Sequence, residues 1–218
     1  MARGTDFGGI HSSRDLRLIQ QLVEVQPAEP KLNLVDIPGA DGSRDLSALP
    51  AGRVVYADRS IEWTFALYPG EKWDAKHREV SNALNGRECK ITLDTDPDYY
   101  YQGRLSVKKY NHDRTLHQIT VEAICRPWIM KQDETIITAD LTTAAWTPII
   151  LPNEKKPVIP TVEVTTDTTF RWKGAILTVN AGTFTSLDVI LDEGENTLEA
   201  QSVTQAGRIT ITYREGSL

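Results

Sequence analysis

The chain has 218 residues with 24 basic and 30 acidic side chains, a formal net charge of -6, and 40% hydrophobic residues. That length suits one large or two small folded domains, and the acidic balance removes the simplest route to nucleic-acid backbones, which needs clustered Lys and Arg. No run approaches the roughly 18 apolar residues of a membrane span, and residues 1–13 lack the apolar core of a secretory signal, so neither membrane insertion nor signal-directed export is expected.

Along the chain, period-two patterning dominates. Short β-rich runs are predicted at 16–25, 32–37, 53–57, 89–93 and 99–107. In 60–68, Ile61, Trp63, Phe65 and Leu67 share one face against Glu62, Thr64 and Ala66; in 116–125, His117, Ile119, Val121, Ala123 and Cys125 alternate with Gln118, Thr120 and Glu122. Turn signals separate them: Pro38-Gly39, Asp41-Gly42, Pro50, Asn85-Gly86 and an acidic loop at 94–98. Pro38-Gly39 suits a type II turn, and Asp41-Gly42 tolerates positive φ. One segment has helical spacing, 71–84 with its stop at 85 and 86, where Trp73, His77, Val80 and Leu84 form one stripe. It is predicted to lie across a sheet through the Trp73 side.

Pro127 and the polar stretch 131–134 mark a boundary, giving an N-terminal domain at 1–130 and a C-terminal one at 131–218. Beyond the boundary Thr and Pro become frequent and no helical stripe remains. Six short strands, at 161–165, 169–172, 175–180, 187–191, 196–203 and 208–213, with Gly-containing turns between them, predict a small antiparallel sandwich. The fold class is mostly β: two antiparallel domains, the first with one helix.

Reaction chemistry is not legible. Cys89 and Cys125 sit in apolar alternating segments as buried thiols, with a disulfide left open, and no C-x-x-C pair accompanies the scattered His11, His77, His112 and His117. The run Asp94-Thr-Asp96-Pro-Asp98 opens like a calcium loop but lacks Gly at the sixth place and has Leu105 at the twelfth, so a solvated hairpin tip is expected. His112, Asp113 and His117 read as loop residues. Ser12 and Ser13 beside His11 lack a nucleophile-elbow context, and the Gly39 to Gly42 segment lacks the Lys of a phosphate cradle. No catalytic residue, metal or cofactor is assigned.

Several segments in order resemble the distal tail protein family of long-tailed, non-contractile bacteriophages: VDIPGADG at 35–42, SIEWTF at 60–65, NALNGR at 82–87, DPDYYYQGR at 96–104 and CRP at 125–127. They span about residues 7 to 128. The distal half resembles, more loosely and through GEN at 194–196 and GRITITYR at 207–214, the galectin-like sandwich that often completes such proteins. The resemblance implies a non-enzymatic virion protein at the tail tip, made in the host bacterial cytoplasm. It implies a homo-hexameric ring built by the N-terminal domains, joining the tail tube protein to the tail-tip hub protein and holding the receptor-binding protein.

A closed ring needs heterologous contacts through strand edges or arms. Tyr99, Tyr100 and Tyr101 with Arg104 are interface candidates, since a strand must turn Tyr100 opposite to its neighbours, and packing within the domain is the competing role. An acidic pore would repel passing DNA. Two other function classes compete: a carbohydrate-binding module, with Trp146 and Trp172 stacking on sugar rings, and a cell-wall glycosidase.

Overall fold

The computed structural model describes residues 4–49, 51–108, 118–186 and 188–218. Pro50, Leu187 and the expected loop with His112, Asp113 and His117 lie outside the described residues. The chain divides into two compact units, Met1–Ile129 and Met130–Leu218.

In the first unit the strands are β1 (Thr5–Phe7), β2 (Leu18–Val25), β3 (Leu34–Asp36), β4 (Ser43–Asp45) and β5 (Arg59–Leu67), then helix α1 (Trp73–Leu84), then β6 (Glu88–Leu93), β7 (Asp96–Val107) and β8 (Gln118–Cys125). Six of them form an antiparallel sheet in the order β1-β6-β7-β8-β5-β2, while β3 and β4 pair only with each other. The alternation read in β5 and β8 is realised: Ile61, Trp63, Phe65, Val121, Ala123 and Cys125 have no exposed surface. Phe7 meets Trp63 edge-on at 5.1 Å, and Val80 and Leu84 of α1 join the same core.

The helix starts at Trp73, two residues later than the stripe suggested, because Lys72 is extended at the N-cap. Lys76, not His77, completes its buried side; its ammonium reaches Glu79 at 2.8 Å, while His77 stacks on Trp73 at 4.9 Å. Asn85 is extended, and Gly86 with φ 77° supplies the left-handed residue that ends the helix. Residues 53–57 do not form a strand. Tyr56 bridges Pro30, and Pro30 has no N–H to extend a ladder there. The acidic loop shrinks to Asp94 and Thr95, since Leu93 pairs with Asp96 and Pro97 and Asp98 are already in β7.

Gly103 separates the two thiols. It pairs with Cys89 on one side and Cys125 on the other, and a Cβ added to it would stand 2.5 Å from Cys125 Sγ and 2.7 Å from the Ile124 carbonyl. Two strand spacings are about 9.6 Å, beyond the roughly 7 Å that a disulfide bridges without backbone movement. Both cysteines are free and buried. Burial raises both thiol pKa values, that of Cys125 to about 12 despite the nearby Arg59.

The second unit follows β9 (Ile129–Lys131), which straddles the division. Its strands are β10 (Thr135–Leu141), β11 (Thr147–Asn153), β12 (Thr161–Val164), β13 (Thr168–Trp172), β14 (Ala175–Val179), β15 (Gly182–Thr185), β16 (Gly194–Ser202), β17 (Gly207–Tyr213) and β18 (Gly216–Ser217). Two four-stranded antiparallel sheets, β10-β17-β12-β15 and β11-β16-β13-β14, enclose a core that includes Leu151, Leu191, Leu198, Ile209 and Ile211. β10, β11 and β15 were not predicted, and the expected strand at 187–191 is reduced to a bridge between Leu191 and Val158. Pro148 and Pro152 hid β11; they are tolerated because it is an edge strand with no ladder on one side. Lys173 (φ 45°) and Gly174 (φ 88°) make the two-residue hairpin between β13 and β14.

Two outcomes follow from this packing. Trp63→Ala should cost about 3 to 5 kcal/mol in chemical denaturation, the usual range for removing a core aromatic. A thiol reagent at pH 8 should leave both cysteines of the native protein unmodified and label both in denaturant, because the thiolate is the reactive form and burial disfavours it.

Candidate self-association surface

Residues 29–57 leave the sheet after β2 and return at β5 as a doubled ribbon. Backbone N–H groups of Ala57, Lys31 and Leu46 donate to the carbonyls of Glu29, Val55 and Asn33 at 2.8 Å, and the Asn33 N–H donates to Ser47 Oγ at 2.8 Å. At the tip, the Ala40 N–H donates to the Ile37 carbonyl at 3.1 Å, with Pro38 second and Gly39 third at φ 84°. This is the hydrogen bond and the left-handed third residue of a type II turn. Gly42, at φ 72°, returns the chain into β4. From Glu29 to Gly39 the ribbon can reach roughly 30 Å at strand spacing.

The ribbon's composition does not match its exposure. Leu32, Leu34, Val35, Ile37, Leu49 and Val54 are 63%, 54%, 43%, 46%, 72% and 38% exposed, and every residue of β3 and β4 is exposed. Register divides the two faces. Val35 pairs with Arg44, while Leu34 pairs with Asp45 and Asp36 with Ser43. One face is apolar and cationic, the other apolar and acidic. Monomeric proteins seldom leave contiguous apolar surface of this kind uncovered.

The sheet presents its own candidate surface opposite the core. Glu24 of β2 pairs with Glu62 of β5, and Glu62 with Glu122 of β8, so three carboxylates stand in one row. Like charges directly opposite destabilise a sheet by roughly 0.2 to 1 kcal/mol per pair. Lys108 is bonded to one end of the row, 2.5 Å from Glu122, and its charge also acts on Glu62. Leu22 (50% exposed) and Ile124 (59% exposed) flank the row from β2 and β8.

The residues singled out in the sequence lie elsewhere. Tyr101 is buried in the first core with the Arg59 guanidinium 5.7 Å from its ring centroid, and Tyr100, on the opposite face and also buried, lies under the Lys90 ammonium at 4.4 Å. Tyr99 is half-buried. Arg104 is exposed, donating to Glu88 Oε2 and to the Gly86 carbonyl, each at 2.7 Å. Two of the three tyrosine rings therefore offer little surface to another molecule.

Trp172 is 4% exposed inside the second core, so it has no open face for a sugar ring. Trp146 is half-buried beneath the Arg171 guanidinium at 4.3 Å, itself held by Glu199 at 2.8 Å. Asp94 binds the N-terminal segment, accepting from the Gly4 N–H at 2.8 Å and facing His11 Nε2 at 3.1 Å. His11 Nδ1 lies 3.2 Å from Ser13 Oγ but also accepts from the backbone N–H groups of Ser13 and Arg14 at 3.3 and 3.2 Å, which uses the lone pair a general base would need. That array caps a turn. Among the described residues no three His, Cys, Asp or Glu side chains gather as a metal site, and no helix is long and apolar enough to cross a membrane.

The exposed ribbon was the part sequence reasoning missed. Its signal was present in 32–37, LNLVDI, where apolar residues fall on both faces and period two gives no single buried side.

No protein-family model matches the chain, and no curated protein matches it. Among solved structures it is similar to the crystal structure of the SPP1 Dit (gp 19.1) protein, described as a paradigm of the hub adsorption apparatus in phages infecting Gram-positive bacteria; 100% of each chain is covered, at a TM-score of 0.66 and 19% identity. The chain has the fold of that phage tail-hub protein along its whole length.

Proposed function

We propose that this protein is a non-catalytic structural component of a phage tail tip that works by binding copies of itself. The observation that carries the reading is the exposed apolar ribbon at 29–57, which belongs to neither core. The ordered sequence segments and the full-length fold likeness to the SPP1 Dit protein support the same reading. In this role the first unit closes a homo-hexameric ring at the end of a long non-contractile tail. The ring joins the tail tube protein to the tail-tip hub protein, and the second unit, a galectin-like sandwich, serves the receptor-binding apparatus on the assembled virion.

Physical chemistry makes the assignment coherent. Completing the burial of a half-exposed Leu or Ile is worth about 1 kcal/mol, and the ribbon offers six large apolar side chains. The formal charge of -6 per chain is multiplied by assembly, so a channel through the ring would repel phosphate at short range and let DNA pass without binding it.

Native mass spectrometry and sedimentation of the full chain test the reading, with the expected species a ring of six in equilibrium with monomer. A strict monomer at high micromolar concentration would overturn it. Val35→Asp combined with Ile37→Asp should weaken self-association at least tenfold while leaving the melting temperature within roughly 3 °C, because surface substitutions outside the cores rarely move stability by more than about 0.5 kcal/mol. Loss of fold in that variant would show that the ribbon packs within its own chain.

A further inference from the structure

We infer that the cationic face of the β3–β4 hairpin docks on the glutamate row of a second copy, so that Arg44 of one molecule enters between Glu24 and Glu62 of the next. This rests on the self-association reading and names the two surfaces that meet.

Two charged features of the first unit lack a full complement within their own chain. The row Glu24, Glu62 and Glu122 places like charges opposite one another on adjacent strands, with one cation from the same chain, Lys108, bonded to Glu122 and acting on Glu62 only at longer range. Among the described residues neither Glu24 nor Glu62 has an ion pair, and neither has Arg44. A guanidinium can bridge two neighbouring carboxylates with its forked donors, which an ammonium cannot do in the same plane.

The apolar groups match as well. Arg44 pairs with Val35 across the hairpin, so a face that delivers the guanidinium delivers an isopropyl group beside it. Glu24 is two residues from Leu22 along β2, and Glu122 is two residues from Ile124 along β8; alternation keeps each pair on the face opposite the core. A charge row bordered by Leu22 and Ile124 therefore faces a charge bordered by Val35. The opposite hairpin face carries Asp36 and Asp45 and would be repelled by the row, which selects one side of the ribbon.

The hairpin of one copy and the sheet of another are different surfaces, so the contact is heterologous and leaves each molecule with one free donor and one free acceptor surface. Such contacts propagate until they close, as a ring requires.

The test uses the full chain in two variants, Val35→Cys and Ile124→Cys, purified separately, mass-tagged differently and mixed with a short bismaleimide. Native Cys89 and Cys125 are buried and stay silent. Expected is cross-linking in the mixture at least tenfold faster than in either variant alone. Adding Arg44→Glu to the first should cut that rate at least tenfold, and adding Glu62→Arg to the second should restore it. Equal cross-linking in Val35→Cys alone, or failure of the reversed pair to restore the rate while sedimentation still shows oligomers, would overturn this docking and leave self-association standing. Absence of cross-links together with a strict monomer would overturn both.

Discussion

The structure turns on a constraint of closure: the chain completes two separate hydrophobic cores, and one stretch of apolar sequence has a place in neither. In the first unit, Trp63 and its neighbours on β5 set the core face, Phe7 packs edge-on against it, and Val80 and Leu84 of the helix cover it. Once that face is covered there is no second interior for Leu32, Leu34, Val35, Ile37 and Leu49. A ribbon held by its own backbone hydrogen bonds is the arrangement left to such a segment. It satisfies polar backbone groups without burying side chains, so the hydrophobic term stays available for association.

How much of this was legible depends on the range over which each signal acts. Alternation in 60–68 and 116–125 specified β5 and β8 and their core faces, because period two is a local consequence of the pleat. The helix was legible for the same reason, yet the identity of its buried cation was not: Lys76 is covered only because Glu71 and Glu79 lie within ion-pair distance. β11 was illegible because Pro148 and Pro152 argue against a central strand, and only the sheet order makes it an edge. The Tyr99 to Tyr101 run looked like a surface because consecutive aromatics must face both ways. What the sequence could not supply was a buried environment for the outward ring, which the structure gives Tyr100 beside Lys90.

The glutamate row was invisible for a different reason. Glu24, Glu62 and Glu122 are far apart in the chain, and their alignment depends on two registers, one of which passes a β-bulge between Gln20 and Leu22. Paired without the bulge, the same sequence would set Glu24 opposite Ile61 on the core side of β2, since a shift of one residue exchanges the two faces of a strand. The bulge thus puts a carboxylate opposite another carboxylate, at a cost that Lys108, bonded to Glu122, offsets only in part.

Surfaces that are costly in isolation are informative about assembly. An acidic row discourages two sheet faces from stacking on each other, and an acidic hairpin face discourages the ribbon from docking upside down. Among these surfaces of the described residues, hairpin to sheet is the complementary juxtaposition that the proposed contact uses. A symmetric pair formed through one such contact on each side would have to satisfy both at once, which demands a fixed relation between ribbon and sheet. A ribbon whose strands are long enough to reach roughly 30 Å can make its contact far from its own base, which favours a next molecule over a returning one. Under the proposed function, the reach of the ribbon and the sign of its charge favour the same outcome, association that advances around an axis and ends when the last copy meets the first.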